Sequence, residues 1–229
     1  MTRAQEREAS VIFGKHVSSE KALFTFLFSM LACAVPMLLG LRLWVQIPPI
    51  VETGFIRASG EDDSLPRAVL VYGIPGLMCV LNLICHAQLW LHQKSEKLPP
   101  LPVRLLGRWT IPVLSVLLSC FWILKGADEA VSLAFYIPCV LALLLMLLGS
   151  HFFDCTRENH FAFHLKHIEY KEAAWRKTHR FAGLTWALAG LLLLLLYLWL
   201  GRLPWYSAVF TVFLLLLPVP LSFSFAKDA

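Results

Sequence analysis

The sequence predicts an all-α membrane protein, a bundle of six transmembrane helices with both termini in the cytoplasm. Hydrophobic residues make up 58% of the 229 residues. Charged residues make up only 15%, against about 25% in a typical soluble domain. The apolar residues are collected into runs close to the roughly 20 residues that a helix needs to cross a bilayer. Because lipid offers the backbone no hydrogen-bonding partners, these runs are expected to be helical.

The apolar runs define the predicted spans and the segments between them. They cover residues 22–43, 68–91, 109–124, 131–153, 181–200 and 205–223. Residues 1–21 form a cytoplasmic segment, and 22–153 hold the first four spans, with an acidic outer loop at 47–67. A basic cytoplasmic loop at 154–180 follows, and 181–229 hold the last two spans and a short cytoplasmic tail.

The orientation follows from the distribution of lysine and arginine over the loops. Fifteen of the 20 cationic residues fall on the side of the two termini, and five fall on the opposite side. Cytoplasmic loops carry an excess of lysine and arginine, so this imbalance predicts that both termini are cytoplasmic. The net charge of +5 is thereby explained without direct binding of nucleic acid.

Proline and glycine indicate where the helices bend and where they continue. Pro75, Pro112 and Pro138 lie in or near the second, third and fourth spans, where each is expected to kink its helix. The fourth loop, in contrast, contains no proline or glycine, and Glu172 and Arg176 have the spacing of a favourable helical ion pair. An interfacial helix is therefore predicted to lead straight into the fifth span.

The second span carries one stripe of polar and small residues. Tyr72, Pro75, Cys79, Asn82 and His86 recur at spacings of three and four, which places them on one face of a regular helix. Polar residues at membrane depth often mark a ligand or ion path, which would suit a small transporter subunit. The alternative is that the stripe only forms hydrogen bonds between helices, each contributing about 0.6 kcal/mol.

The fourth loop contains three histidines, His160, His164 and His167, in a HxxxHxxH spacing. On one helix they would share a face, and three imidazoles are a ligand set that zinc or iron accepts. This favours a metal-dependent membrane oxidase or hydrolase as one alternative. The other interpretation is that the histidines, beside Phe161 and Phe163, anchor the loop at the lipid headgroups.

A dense cationic segment stands where the fifth span begins. We call it the collar, and it consists of Trp175, Arg176, Lys177, Thr178, His179 and Arg180. As an anchor, its cations would bind anionic headgroups at about 1 kcal/mol each. As a docking surface, it would offer a partner an aromatic side chain surrounded by cations.

Standard active-site patterns are missing from the sequence. It contains no nucleophile triad, no glycine-rich phosphate loop and no paired carboxylates within the spans. Six cysteines without a CxxC pair, five of them in predicted spans, do not suggest a disulfide framework. A protein without catalytic residues, cofactor or metal is therefore expected.

The collar resembles the signature of the SdpI-type membrane proteins. In that family the cytoplasmic stretch before the fifth span ends in Trp-x-Lys-Thr-His-Arg, followed by a helix start of small residues. Here the chain reads Trp175 to Arg180 and continues Phe-Ala-Gly, and Asn159 lies near the position of an upstream family asparagine. After Asn159 the family's Gly-Ile-Arg-Thr-Pro-Trp-like stretch is replaced by His-Phe-Ala-Phe-His. The segments 46–48 and 60–62 resemble the family's accessory domain more loosely.

The resemblance implies a bacterial plasma-membrane protein that protects its producer against a secreted toxic peptide. It also implies signalling, in which the peptide-bound protein holds a cytoplasmic transcriptional repressor at the bilayer. The expected partners are thus the lipid bilayer, a toxic peptide and a repressor. None of these roles requires catalysis.

Overall fold

A computed structural model describes residues 19–56, 62–92, 101–153, 155, 157 and 162–227. By length and composition, six helices of this part are able to cross a membrane: Ser19–Arg42, Val69–Leu91, Gly107–Gly126, Leu133–Phe152, Glu172–Leu200 and Trp205–Lys227. These are the first to sixth spans, and they confirm the predicted class of an all-α, six-helix membrane protein.

The individual elements follow the spans closely. The helices are α1 (Ser19–Ala34), α2 (Pro36–Arg42), α3 (Ile74–His92), α4 (Leu101–Gly126), α5 (Leu133–Phe152), α6 (Lys166–Glu169), α7 (Glu172–Leu200), α8 (Trp205–Leu216) and α9 (Pro218–Lys227). Two strands, β1 (Ile50–Ile56) and β2 (Asp62–Pro66), lie between the first two spans, and a π-helical turn at Val69–Gly73 begins the second span.

The most extensive contact in the bundle joins α5 to α7. Glycines allow this approach: a Cβ added to Gly183 would lie 2.8 Å from the carbonyl oxygen of Gly149. A Cβ added to Gly190 would collide with the backbone of Ala142 in the same way. Small residues at a helix interface let backbones approach closely, which increases the van der Waals packing that helps to drive helix association in lipid. The Ala-Gly pair that follows the collar therefore serves packing.

Two spans are divided at prolines that we had not expected to break a helix. α1 ends at Ala34 and α2 begins at Pro36, while α8 ends at Leu216 and α9 begins at Pro218. A proline removes one backbone donor and clashes with the preceding turn, which explains both divisions. Pro112 and Pro138 instead lie inside helices that continue past them.

The outer loop forms a β-hairpin, which its acidic, proline-containing sequence does not indicate. Ile50 pairs with Pro66 and Val51 with Leu65 in antiparallel register. The Val51 side chain is buried in the main core, so the hairpin is attached to one end of the bundle. At its base, Arg67 lies 4.3 Å from the centre of the Trp44 ring and donates to the Trp44 carbonyl oxygen at 3.3 Å.

The opposite end of the bundle gathers the described cations of the predicted cytoplasmic segments. There Lys21 Nζ donates to the carbonyl oxygen of His151 at 3.3 Å. Glu20 and Arg180 form an ion pair at 2.6 Å. The start of the first span therefore meets the end of the fourth and the start of the fifth. We call this the cationic end and the other the hairpin end.

Candidate functional site

The collar forms the first turns of α7, which runs without interruption from Glu172 to Leu200. A helix therefore leads directly from the end of the fourth loop into the fifth span. The helical period divides the collar into two faces. Trp175, Thr178 and His179 are buried, whereas Arg176 and Lys177 are exposed on the other side. We call the last two residues the exposed pair.

Trp175 is the centre of the buried face, with only 2% of its surface exposed. Its indole Nε1–H donates to the carbonyl oxygen of Cys155 at 2.8 Å. Its ring stacks on the His179 imidazole, with centroids 4.1 Å apart, and the His164 ring lies 5.5 Å away. The indole therefore holds the start of the fourth loop against α7, and its one polar atom is satisfied.

His179 completes this arrangement and is fully buried. The backbone N–H of Phe163 donates to His179 Nε2 at 3.1 Å, so Nε2 carries a lone pair. The proton must then be on Nδ1, which lies 2.9 Å from the Trp175 carbonyl oxygen and donates to it. Both ring nitrogens of a neutral imidazole are thereby used. Trp175 and His179 act together as a clamp on the fourth loop.

Arg180 links the collar to the first span. Its guanidinium makes the ion pair with Glu20 and lies 5.6 Å from the centre of the Phe153 ring. Because Arg180 is partly exposed, the ion pair alone contributes little to stability. Its role is positional, since it joins the starts of the first and fifth spans.

The fourth loop also contacts the sixth span. The His167 ring stacks on Phe223 with centroids 4.0 Å apart, and His167 Nε2 lies 2.7 Å from Ser222 Oγ. Ser222 donates its hydroxyl proton to the carbonyl oxygen of Val219 at 2.6 Å. His167 must therefore be the donor to Ser222. Together with the clamp, this contact holds the fourth loop against the cationic end. We call the fourth loop with these two sets of contacts the cap.

The prediction that the three histidines share one helical face is wrong for the two histidines that the structure describes. Residues 162–165 are not helical, and His164 is exposed beside Trp175, whereas His167 lies in α6 and points to Ser222. His160 lies outside the described residues. Within the described part of the chain, no three histidine, cysteine or acidic side chains are grouped to hold a metal ion.

One part of the docking interpretation of the collar is also corrected. Trp175 is not an exposed aromatic anchor, because the fourth loop covers it. The cation beside it in sequence, Arg176, remains exposed together with Lys177. Glu172, the predicted helical partner of Arg176, forms an ion pair with Arg157 at 3.0 Å.

The residues of the polar stripe in the second span lie in two different environments. Asn82 is fully buried, and its Nδ2 donates to Ser29 Oγ at 2.9 Å. Ser29 Oγ lies 3.2 Å from His86 Nε2, so all three residues form one network between the first two spans. Tyr72 is 40% exposed and lies beside Trp44 at the hairpin end. The π-helical turn changes the helical register there, which is why regular spacing failed to place Tyr72.

Some partners of these residues had no usable signal in the sequence. Ser29 stands out in the sequence as a polar residue in an apolar run, but the sequence does not indicate which residues it contacts. Cys155 and Phe163 contribute backbone atoms to the clamp, so their side chains give no indication of it.

Comparison with known proteins supports the resemblance of the collar. Residues 170–224 match the SdpI/YfhL protein family. The match begins just before α7 and includes the collar, the fifth span and most of the sixth. No curated protein and no solved structure matches the chain. The chain is thus a multi-pass membrane protein whose last two spans resemble the SdpI/YfhL family.

Proposed function

We propose that this chain is a bacterial plasma-membrane binding protein that confers immunity to a secreted toxic peptide. In this proposal it also reports the bound peptide to a cytoplasmic repressor. The observation that carries the proposal is the continuity of α7: the exposed pair stands on the same helix that packs against the fourth span. A shift of the fifth span would therefore displace the exposed pair.

The hairpin end carries exposed carboxylates that would attract a cationic peptide. Glu52 on β1 and Glu129 in the loop before α5 are exposed there. Such charges speed the encounter with a cationic partner and help to select it. Binding changes the bundle only if the peptide has a higher affinity for one arrangement of the helices than for another.

At the cationic end, the exposed pair is the proposed docking surface for a repressor with an acidic face. Two adjacent exposed cations on a rigid helix are well placed for electrostatic complementarity, which favours specificity more than affinity. The clamp supports this role indirectly, because it fixes the first turns of α7 against the fourth loop.

The two alternatives, a metal-dependent membrane enzyme and a small transporter subunit, gain no support from the described residues. An enzyme using His164 and His167 would need them at one site, but each contacts a different span. A transporter using Asn82 and His86 would need them beside an open path. Asn82 is instead fully buried, and both side chains bond to Ser29, which fits the structural interpretation of the stripe.

The proposal is tested by challenging a sensitive bacterium with the peptide that the native host secretes. Cells that produce the chain are expected to survive, and cells with an empty vector are expected to die. In the native host, the double variant Arg176→Gln/Lys177→Gln is expected to keep protection and lose the transcriptional response to the peptide. The reason is that docking, but not peptide binding, needs these cations.

The matched control removes two other exposed cations from the same end, as Lys166→Gln/Lys227→Gln. This control is expected to respond like the wild type. Death of producing cells, with the protein verified in the membrane, would contradict immunity. A normal transcriptional response in the collar variant would contradict docking at the exposed pair.

A further inference from the structure

A groove opens between the first two spans at the cationic end and has no role in the proposed function. Its volume is about 260 Å³. The apolar wall residues come from the two spans in equal number and are Ala22, Leu23, Phe26, Leu83, Ala87 and Trp90. His86 is also in the wall, held in position by Ser29 behind it. The groove is thus apolar along its length, with one imidazole.

A cation lies at one side of this groove. Arg108, at the start of the third span, lines a small adjoining pocket together with His86 and Trp90. The carboxylate of Glu20, which follows the groove residue Ser19 in sequence, is paired with Arg180 at 2.6 Å. Its negative charge is therefore compensated by Arg180 and opposes an anion beside Arg108 less strongly.

We propose that the groove binds an acyl chain of an anionic phospholipid, with the phosphate group beside Arg108. Size supports a single chain, because the volume is below the roughly 300 Å³ at which pockets for larger ligands begin. From Ser19 to Phe26 the wall is about 10 Å long at 1.5 Å per residue, which suits part of an acyl chain. A peptide helix, about 10 Å in diameter, would not fit.

The position of the groove also fits a lipid. Basic pockets between transmembrane helices on the cytoplasmic side are sites for anionic headgroups. The second span is the less enclosed wall of the groove. Of its most apolar 18 residues 22% are buried, against 44% for the first span. A lipid chain in the groove would cover part of that surface. It would also lie against His86 and so support the network that joins the two spans.

Native mass spectrometry of the full-length protein tests this site. The protein is released from micelles that contain equal amounts of dioleoylphosphatidylglycerol and dioleoylphosphatidylcholine. The wild type is expected to retain phosphatidylglycerol about fivefold over phosphatidylcholine, which corresponds to the about 1 kcal/mol of one cation near an anionic headgroup. Arg108→Gln is expected to remove this preference and leave the chain-binding groove intact.

Ala87→Trp fills the groove from its exposed wall and is expected to abolish retention of the lipid. Leu23→Trp does the same from the other wall, in case one variant fails to fold. The matched control is Val80→Trp, which is exposed on the same helix and does not line the groove. Equal retention of the two lipids by the wild type would overturn the proposal. So would unchanged retention in folded Ala87→Trp and Leu23→Trp proteins. Neither result bears on peptide immunity.

Discussion

Replacing Gly190 with alanine is expected to lower the free energy of unfolding of the bundle by about 3 kcal/mol, near the upper end for overpacked sites. The added Cβ would collide with the carbonyl oxygen of Ala142 and the backbone nitrogen of Met146. Backbone atoms cannot rotate away as a side chain can, so α5 and α7 would have to separate. Denaturant unfolding in detergent micelles measures the change.

Gly76 provides the matched control for this prediction. It is also a helical glycine, but a Cβ added there meets no atom within 4 Å. Gly76→Ala is therefore expected to raise the free energy of unfolding by up to about 1 kcal/mol through helix propensity. This change has the opposite sign to that of Gly190→Ala. Equal stability of the two alanine variants would contradict the close approach of α5 and α7.

Replacing Trp175 with alanine is expected to destabilise the cap by about 4 kcal/mol, the usual cost of deleting a buried aromatic ring. The variant loses the stacking on His179 and the hydrogen bond to the Cys155 carbonyl oxygen. The Cys155 side chain, buried in the wild type, should then become accessible to solvent. Its rate of maleimide labelling in micelles measures this opening directly.

Two neighbouring variants show whether the effect belongs to the buried indole. Trp175→Phe keeps one aromatic ring but loses the hydrogen bond and part of the buried ring volume, so a smaller loss of about 2 kcal/mol is expected. Arg176→Ala changes an exposed neighbour on the same turn and should stay within about 0.5 kcal/mol of the wild type. If labelling of Cys155 in Trp175→Ala is as slow as in the wild type, the clamp does not hold the fourth loop.

The fold class was predictable because lipid imposes a simple constraint on sequence. Each span must satisfy its own backbone, so its length and apolarity are visible without knowledge of any contact. The helix through the collar was predictable for a similar local reason, since the fourth loop lacks proline and glycine. The break of the first span at Pro36 could not be predicted from the proline alone, because helices often tolerate proline, as Pro112 shows.

The contacts of the candidate site depend on folding across long distances and could not be predicted in the same way. Trp175 is buried because the chain near Cys155 and Phe163 returns to α7, and no local pattern indicates this. His164 and His167 are separated because the helix starts only at Lys166. The outer hairpin depends on pairing between β1 and β2, which polar loop composition obscured.

The division of the collar into a buried face and an exposed pair, and the proposed cytoplasmic position of that pair, are tested most directly by labelling adjacent cysteines. Lys177→Cys and Thr178→Cys are compared with an impermeant maleimide, on intact and on opened bacteria. Lys177→Cys is expected to react only in opened cells, and Thr178→Cys, whose site is buried, in neither. Reaction of Lys177→Cys in intact cells, or equal reaction at both positions in opened cells, would contradict this division.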